Sequence, residues 1–157
     1  MKTKMKLLPT LLCLTLFINF SCAPTRIVST PNEVKIMTTK QYDAKYDMVF
    51  KSVMSLLQSE QFAIESTDMN SGLIVATKNI YEKKNASLTK SVIIVDKLND
   101  DLTEVKATVY SGAEKIRNNG YSEKKRKVEN MIQDPAYYNR WFNNLSAEIV
   151  RRKALMQ

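Results

Sequence analysis

Histidine is absent from this chain, and glycine and cysteine are scarce, with three and two residues respectively. The lack of histidine removes the commonest general base and the commonest metal ligand. The separate glycines Gly72, Gly112 and Gly120 cannot form a glycine-rich phosphate loop. The chain also has no Gly-x-Ser-x-Gly elbow, no Cys-x-x-Cys pair and no metal-ligand spacing. The sequence therefore favours a protein that is not an enzyme, with no catalytic residues, no metal and no cofactor.

Paired carboxylates could still carry out acid–base chemistry, as they do in glycan cleavage. The closest acidic pair is Asp100-Asp101, which follows Asn99 in a segment with the composition of a turn. The turn explains both residues without catalysis. A carboxylate-dependent hydrolase of the envelope is therefore the weaker alternative.

The N-terminal segment has the plan of a secretory signal peptide. A positive stretch, Lys2–Lys6, precedes an apolar run at 7–20, which ends in Ser21-Cys22. Spanning a bilayer takes ~20 apolar residues, so this run is too short for a permanent transmembrane helix. We expect residues 1–21 to be removed as a signal peptide.

The residue pair Ser21-Cys22 marks the expected cleavage point. It resembles the end of a bacterial lipobox, whose cysteine becomes the first mature residue and carries fatty acids such as palmitate. Ordinary cleavage after Ala23 would place Pro24 next to the cut, where signal peptidase works poorly. Since Cys13 would leave with the signal, Cys22 would be the lone mature cysteine and could not form an internal disulfide. The alternative is a free cysteine beside a cleavage site.

The expected location is the outer membrane, with the domain anchored by lipid and facing the periplasm. Ala23 after the cysteine, in place of aspartate, resembles lipoproteins that are sent on to the outer membrane, and no acidic run follows. The formal net charge is +8, part of which the signal carries. The remaining positive charge suits anionic surfaces. Export gives no access to the chromosome, so nucleic acid is not an expected partner.

The chain after the signal is predicted to divide at residue 41. Residues 22–41 contain two of the four prolines and no helical apolar period, which predicts a lipidated N-terminus and a flexible tether. Within it, Val34–Met37 alternates weakly and could form a short edge strand. Residues 42–157 are predicted to form a single α+β domain, since a chain of this length supports one core.

Apolar periodicity predicts a helix at each end of the domain and strands between them. The first helix covers 42–58, and the last begins at the N-cap Asp134 with Pro135 in the first helical position. Strands are predicted at 62–66, 73–77, 91–95 and 102–110, with a tight turn at 68–72. The apolar stripes of the helices predict these core residues: Tyr46, Val49, Phe50, Val53, Met54 and Leu57, then Tyr138, Trp141, Phe142, Leu145 and Ile149.

The predicted fold follows from the alternation of apolar and polar side chains along strand 102–110. One side of this strand consists of Val105, Ala107 and Val109, and the other of Glu104, Lys106, Thr108 and Tyr110. This pattern requires one buried and one wet face, as when helices cover one side of a sheet. We predict an α+β fold: an antiparallel sheet of about four strands with two helices packed on one face, in the order α-β-β-β-β-α.

This order of elements resembles a group of small bacterial envelope lipoproteins with domains like those of BamC, the lipoprotein subunit of the outer-membrane barrel-assembly machinery. The residues that carry the resemblance are Tyr46–Leu57, Phe62–Ile64, Ser71–Thr77 and Asp134–Leu145. It is a similarity of spacing and hydrophobic pattern. It implies helices gripping one face of an antiparallel sheet and leaves the function open.

Two features indicate a contact surface. The strand 92–95 is apolar on both sides, so the open face of the sheet should carry a hydrophobic patch in addition to Tyr110. The irregular stretch 111–133 contains a basic run, Lys124, Lys125, Arg126 and Lys127. This run could steer an anionic lipid, a glycan or an acidic partner towards the protein. The simpler interpretation of this run is a solvated loop.

The leading hypothesis is a non-catalytic binding or assembly module of the cell envelope that contacts an envelope protein or a second copy of itself. The main alternative is a carrier that holds an apolar ligand between sheet and helices. Such a carrier requires a cavity of ~300 Å³ or more at that interface. A carrier would have such a cavity, whereas a hydrolase would have two carboxylates that meet in a cleft.

Replacing Cys22 by serine should abolish lipid attachment, because the thiol accepts the acyl groups. We expect the Cys22→Ser protein to remain unprocessed or to be released into the periplasm. Metabolic labelling with a palmitate analogue measures this, with Cys13→Ser as the matched control that should still be labelled. Label in the Cys22→Ser protein at the wild-type level would show that the anchor is elsewhere.

Overall fold

The computed structural model describes residues 29–82, 85–115 and 130–156, which contain three helices and six strands. In chain order these are α1 (Pro31–Thr38), β1 (Thr39–Tyr42), α2 (Tyr46–Ser59), β2 (Ala63–Asp68), β3 (Leu73–Glu82), β4 (Asn85–Lys97), β5 (Thr103–Lys115), β6 (Asn130–Met131) and α3 (Pro135–Leu155). The predicted turn at 68–72 is present, between β2 and β3.

The strands form one antiparallel sheet in the order β1-β5-β4-β3-β2. β1 and β6 both pair with the edge of β5 that faces away from β4, β1 along 103–106 and β6 at 110–111. The predicted α+β class with an antiparallel sheet is confirmed, whereas four strands and two helices are too few. The structure adds α1, β1 and β6 to the predicted order.

Within the described residues, α1 covers Pro31–Thr38 and β1 covers Thr39–Tyr42, so the predicted flexible tether at 22–41 is wrong over its last part. α1 starts with a capping box, in which the Thr30 hydroxyl accepts from the Glu33 N–H (3.4 Å) and the Glu33 carboxylate accepts from the Thr30 N–H (2.7 Å). Pro31 occupies the first helical position, where its missing N–H costs no hydrogen bond. The suggested edge strand at 34–37 is therefore helix, and the edge strand is β1.

α2 carries the apolar stripe predicted for it. Four of its six predicted core residues are buried, and the other two, Tyr46 and Met54, pack partly buried against the core. The helix begins at Tyr46 rather than at residue 42, because Tyr42 ends β1. The buried Ser52 hydroxyl donates to the Met48 carbonyl at 2.7 Å, which satisfies its hydrogen-bonding requirement.

α3 supplies the largest side chains of the core. Its start is as predicted, since the Asp134 carboxylate accepts from the Ala136 N–H (2.9 Å) and Pro135 follows the cap. All five predicted core residues of α3 are buried. The rings of Trp141 and Phe142 meet edge to face with centroids 5.2 Å apart.

The inner face of the sheet consists of alternate residues on β3, β4 and β5. Val105 pairs with Val95 and Ala107 with Ile93, so side chains of the same parity meet beneath α2 and α3. This confirms the predicted inward side of strand 102–110. β5 continues to Lys115 and β6 covers Asn130–Met131, so part of the stretch 111–133 that was predicted to be irregular is strand; residues 116–129 lie outside the described part.

Trp141→Ala should destabilise the domain by about 3–5 kcal/mol, because it removes a large ring from a packed core. Trp141 is only 5% exposed and belongs to the core cluster of α2, α3 and the inner face. Urea unfolding followed by circular dichroism measures the loss. A change below about 1 kcal/mol would contradict the packing described for this ring.

Gly72 closes the β2–β3 turn in a conformation that a side chain would not tolerate. Its φ is +71°, and its carbonyl accepts a hydrogen bond from the Val95 N–H at 3.0 Å. A Cβ added to Gly72 would lie 2.0 Å from the Val95 carbonyl oxygen, which is backbone and cannot move aside easily. The turn therefore needs glycine for two separate reasons.

Gly72→Ala should destabilise the domain by more than the roughly 1–2 kcal/mol that a left-handed conformation costs an ordinary residue. The additional loss comes from displacing β3 relative to β4. Chemical denaturation measures the free energy of unfolding, and Ser71→Ala in the same turn is the control. Equal stabilities of the two variants would contradict the close approach of Gly72 to β4.

Candidate functional site

The side of the sheet opposite α2 and α3 is the candidate functional site, and we call it the open face. It follows from the register of β3, β4 and β5, whose inward residues alternate with residues that point the other way. The predicted outward residues of β5, Glu104, Lys106, Thr108 and Tyr110, are all on this side and partly exposed. The expected outward side of this strand is therefore confirmed.

The centre of the open face is aliphatic. Leu73 pairs with Ile94, and Val75 pairs with Val92, so these four side chains form a contiguous cluster across β3 and β4 that we call the open-face patch. Ile94 is 38% exposed, which is high for a large aliphatic residue in a central strand. Contiguous apolar side chains on a protein surface often mark a contact site.

The charged residues at one end of the open face form ion pairs. The Lys106 ammonium lies 2.7 Å from Asp96 Oδ2 and 3.0 Å from Glu104 Oε1. The Gln41 side chain of β1 also donates to Glu104 at 3.2 Å. The hydrogen bonds from Gln41 and from Lys106 lower the pKa of Glu104, and the bond from Gln41 is the larger cause. Such partly exposed ion pairs contribute little to stability. At this end the aliphatic patch is therefore flanked by charged residues that are already paired.

The other end of the open face contains the predicted contact residue Tyr110. It pairs with Lys90 of β4 on one side and with Met131 of β6 on the other, and its side chain is partly exposed. The remaining predicted contact residues, Lys124, Lys125, Arg126 and Lys127, lie outside the described residues, as does Cys22. The structure therefore positions only the tyrosine of the predicted set.

Leu73 and Val75 belong to the open-face patch but were not among the predicted contact residues. The sequence contains a signal for them. The run 73–76 is continuously apolar, and such a run predicts a strand with apolar side chains on both faces. The same argument had identified strand 92–95, and only the pairing of β3 with β4 brings the two runs together.

Two grooves border the described part of the sheet. The α2–β2 groove, of about 510 Å³, is bordered by Phe50 and Met54 of α2, by Thr67 of β2 and by Met69, which follows β2. The α1–β1 groove, of about 630 Å³, lies at the opposite edge of the sheet and includes Glu104. Both are open to solvent, so neither is an enclosed cavity between sheet and helices.

The rim of the α2–β2 groove is electropositive. Lys51 of α2 and Arg152 of α3 line it, and none of its lining residues is acidic. The nearby Glu148 carboxylate accepts two hydrogen bonds from Arg151 (2.7 Å each) and one from Arg152 Nε (3.1 Å). Its hydrogen bond with Arg151 is the main cause that lowers the pKa of Glu148 to about 2. Glu148 is thus already neutralised by two arginines.

The acidic pair considered for catalysis serves the β4–β5 turn. Asp100 accepts from the Lys97 ammonium at 2.7 Å, and the Asp101 N–H donates to the Asn99 side chain at 2.9 Å. Within 29–82, 85–115 and 130–156, no three Cys, Asp or Glu residues are grouped so that they could hold a metal ion.

No helix among the described residues is both long and apolar enough to cross a membrane. Comparison with known proteins finds no family model that matches this chain and no curated protein that matches it significantly.

Proposed function

We propose that this protein is a lipid-anchored lipoprotein of the outer membrane, facing the periplasm, that acts as a non-catalytic binding or assembly module. The lipid anchor at Cys22 and the location rest on the lipobox-like Ser21-Cys22 and the following Ala23. The contact role rests on the open-face patch, which is the observation that carries the proposal. The partner is an envelope protein or a second copy of the chain.

The geometry of the open face favours a macromolecular partner over a small ligand. A pleated sheet surface is broad, whereas small molecules are usually held in concave sites. The patch has an aliphatic centre on β3 and β4 and a polar margin in which Lys106 pairs with Asp96 and Glu104. Protein interfaces commonly combine such an apolar centre with a polar rim.

The basic run Lys124–Lys127 would be the secondary contact in this proposal. Its positive charge would steer an anionic partner towards the open face over a distance set by the ionic strength. The domain resembles those of BamC in having helices on one side of an antiparallel sheet. A role in barrel assembly is not part of the proposal, because the resemblance concerns architecture.

Polar substitution of the open-face patch should weaken partner contact at every salt concentration. We suggest the triple variant Val75→Thr, Val92→Thr and Ile94→Thr, since threonine keeps the β-branched shape of valine and isoleucine. The matched control is Ile80→Thr, because Ile80 is equally exposed (41%) and lies on the opposite side of β3. Sedimentation of the purified full-length protein and pull-down from envelope extracts measure self-association and partner contact respectively.

Replacement of residues Lys124–Lys127 by serine should weaken the same association mainly at low salt, because exposed charges are screened at high salt. A photoreactive amino acid at position 94, compared with position 80, shows whether contact occurs through the open face. If neither set of substitutions changes association, or if position 80 crosslinks as strongly as position 94, the open face is not the contact surface.

A further inference from the structure

We infer that the α2–β2 groove binds an anionic single-chain amphiphile, such as a fatty acid or an alkyl phosphate. Its chain would lie on Phe50, Met54 and Met69, and its head group between Lys51 and Arg152. This site goes beyond the contact through the open face, because it is on the helix side of the sheet. Its test is independent of any protein partner.

The positive rim provides the recognition of the anionic head group. Lys51 is exposed, and Arg152 uses its Nε for Glu148. Among the described residues the two terminal nitrogens of Arg152 make no hydrogen bond, so they can donate to a ligand. A guanidinium can bind a carboxylate or a phosphate with two parallel hydrogen bonds. Lys51 adds a point charge on the same rim.

The apolar floor suits a hydrocarbon chain. Phe50 is part of the core and lines the groove, while Met54 is partly buried and Met69 is 41% exposed. Methionine side chains adapt their shape to irregular apolar ligands. The volume of about 510 Å³ lies within the ~300–1,000 Å³ typical of small-molecule sites.

The α1–β1 groove lacks this combination of features. It is the larger groove and Lys35 and Lys40 line it, but Glu104 lies beside them and accepts a hydrogen bond from Gln41 at 3.2 Å. Its aliphatic lining comes from Ile36 alone. An anionic amphiphile would meet a carboxylate there and little apolar surface. The α2–β2 groove is therefore the better site for this ligand class.

A peptide is a poorer occupant of the α2–β2 groove. A peptide strand would add to the free edge of β2, which borders the groove. The register of β2 shifts between Ile64 and Ser66, and its edge also carries Glu65 and Asp68. Bulges and charged side chains on an edge strand disfavour the addition of another strand.

Photoaffinity labelling tests this inference on the full-length protein in phosphatidylcholine vesicles. The probe is palmitic acid carrying a diazirine in its chain, and mass spectrometry locates the adducts. We expect saturable labelling on peptides that contain Met54 or Met69, competed by palmitate and by dodecyl phosphate. A diazirine alkylamine of equal length should label these peptides at least several-fold less, because the rim is positive.

Substitutions then separate head-group recognition from general hydrophobic contact. The double variant Lys51→Gln, Arg152→Gln should raise the probe concentration needed for half-maximal labelling about tenfold, because hydrogen bonds to a charged group are lost. Lys45→Gln with Arg140→Gln removes the same charge from exposed positions that do not line the groove and should leave labelling unchanged. Circular dichroism confirms that each variant is folded.

Three outcomes would overturn the inference. Adducts spread over the protein without saturation would show that the groove is not a site. Equal labelling by the alkylamine would show that the positive rim does not select the ligand. Crosslinking of a photoreactive residue at position 69 to a protein, without competition by palmitate, would make the occupant a polypeptide. None of these outcomes bears on the open-face contact.

Discussion

The side-chain alternation of β5 is the constraint on which the rest of the structure depends. β5 pairs with β4 along its whole length and with β1 and β6 on its other edge, so three other strands take their register from it. Its inward residues Val105, Ala107 and Val109 are buried beneath the helices. A shift of one residue would move these side chains to the open face and bring Glu104 and Lys106 into the core. Burying those charges would be far costlier than any local gain.

α3 is tied to this register by a hydrogen bond as well as by packing. The Val109 N–H points away from β4 in the gap between β1 and β6, where no strand can accept it. The hydroxyl of the fully buried Tyr138 accepts it at 3.2 Å. At the other end of β5, the buried Thr103 hydroxyl donates to the Ala44 carbonyl at 2.8 Å. α3 and the connection between β1 and α2 are thus each fixed to β5 by a hydrogen bond.

The elements that the sequence predicts well are those with many repeats of one pattern. α3 shows five apolar positions at helical spacing, and its Asp134-Pro135 start is a strong local signal. α1 has the same kind of start in Thr30-Pro31 with Glu33, but its eight residues bury only Thr38, so periodicity does not reveal it. β1 and β6 are four and two residues long, and they become strands only because β5 offers a free edge.

The two candidate surfaces also differ in how far the sequence predicts them. The open face could be predicted because one strand, 102–110, shows both of its sides in sequence, while the patch also needed the pairing of β3 with β4. The α2–β2 groove could not be predicted. Its residues come from α2, from the end of β2 and from the last turns of α3, and no local pattern connects Met54 with Met69 or Arg152.

The inclusion of α1 and β1 in the domain changes how a lipid anchor at Cys22 would hold it. Thr30, where the described structure reaches α1, follows Cys22 by eight residues. Eight residues span at most about 28 Å even when fully extended. The anchor would therefore hold α1 and the adjoining β1 edge within about 28 Å of the membrane surface. β2 is the opposite edge, four strand spacings or roughly 19 Å further across the sheet. Since this width is smaller than the reach of the connection, an anchored domain could turn either edge of its sheet towards the bilayer, and the α2–β2 groove could meet amphiphiles at the membrane surface as well as free ones.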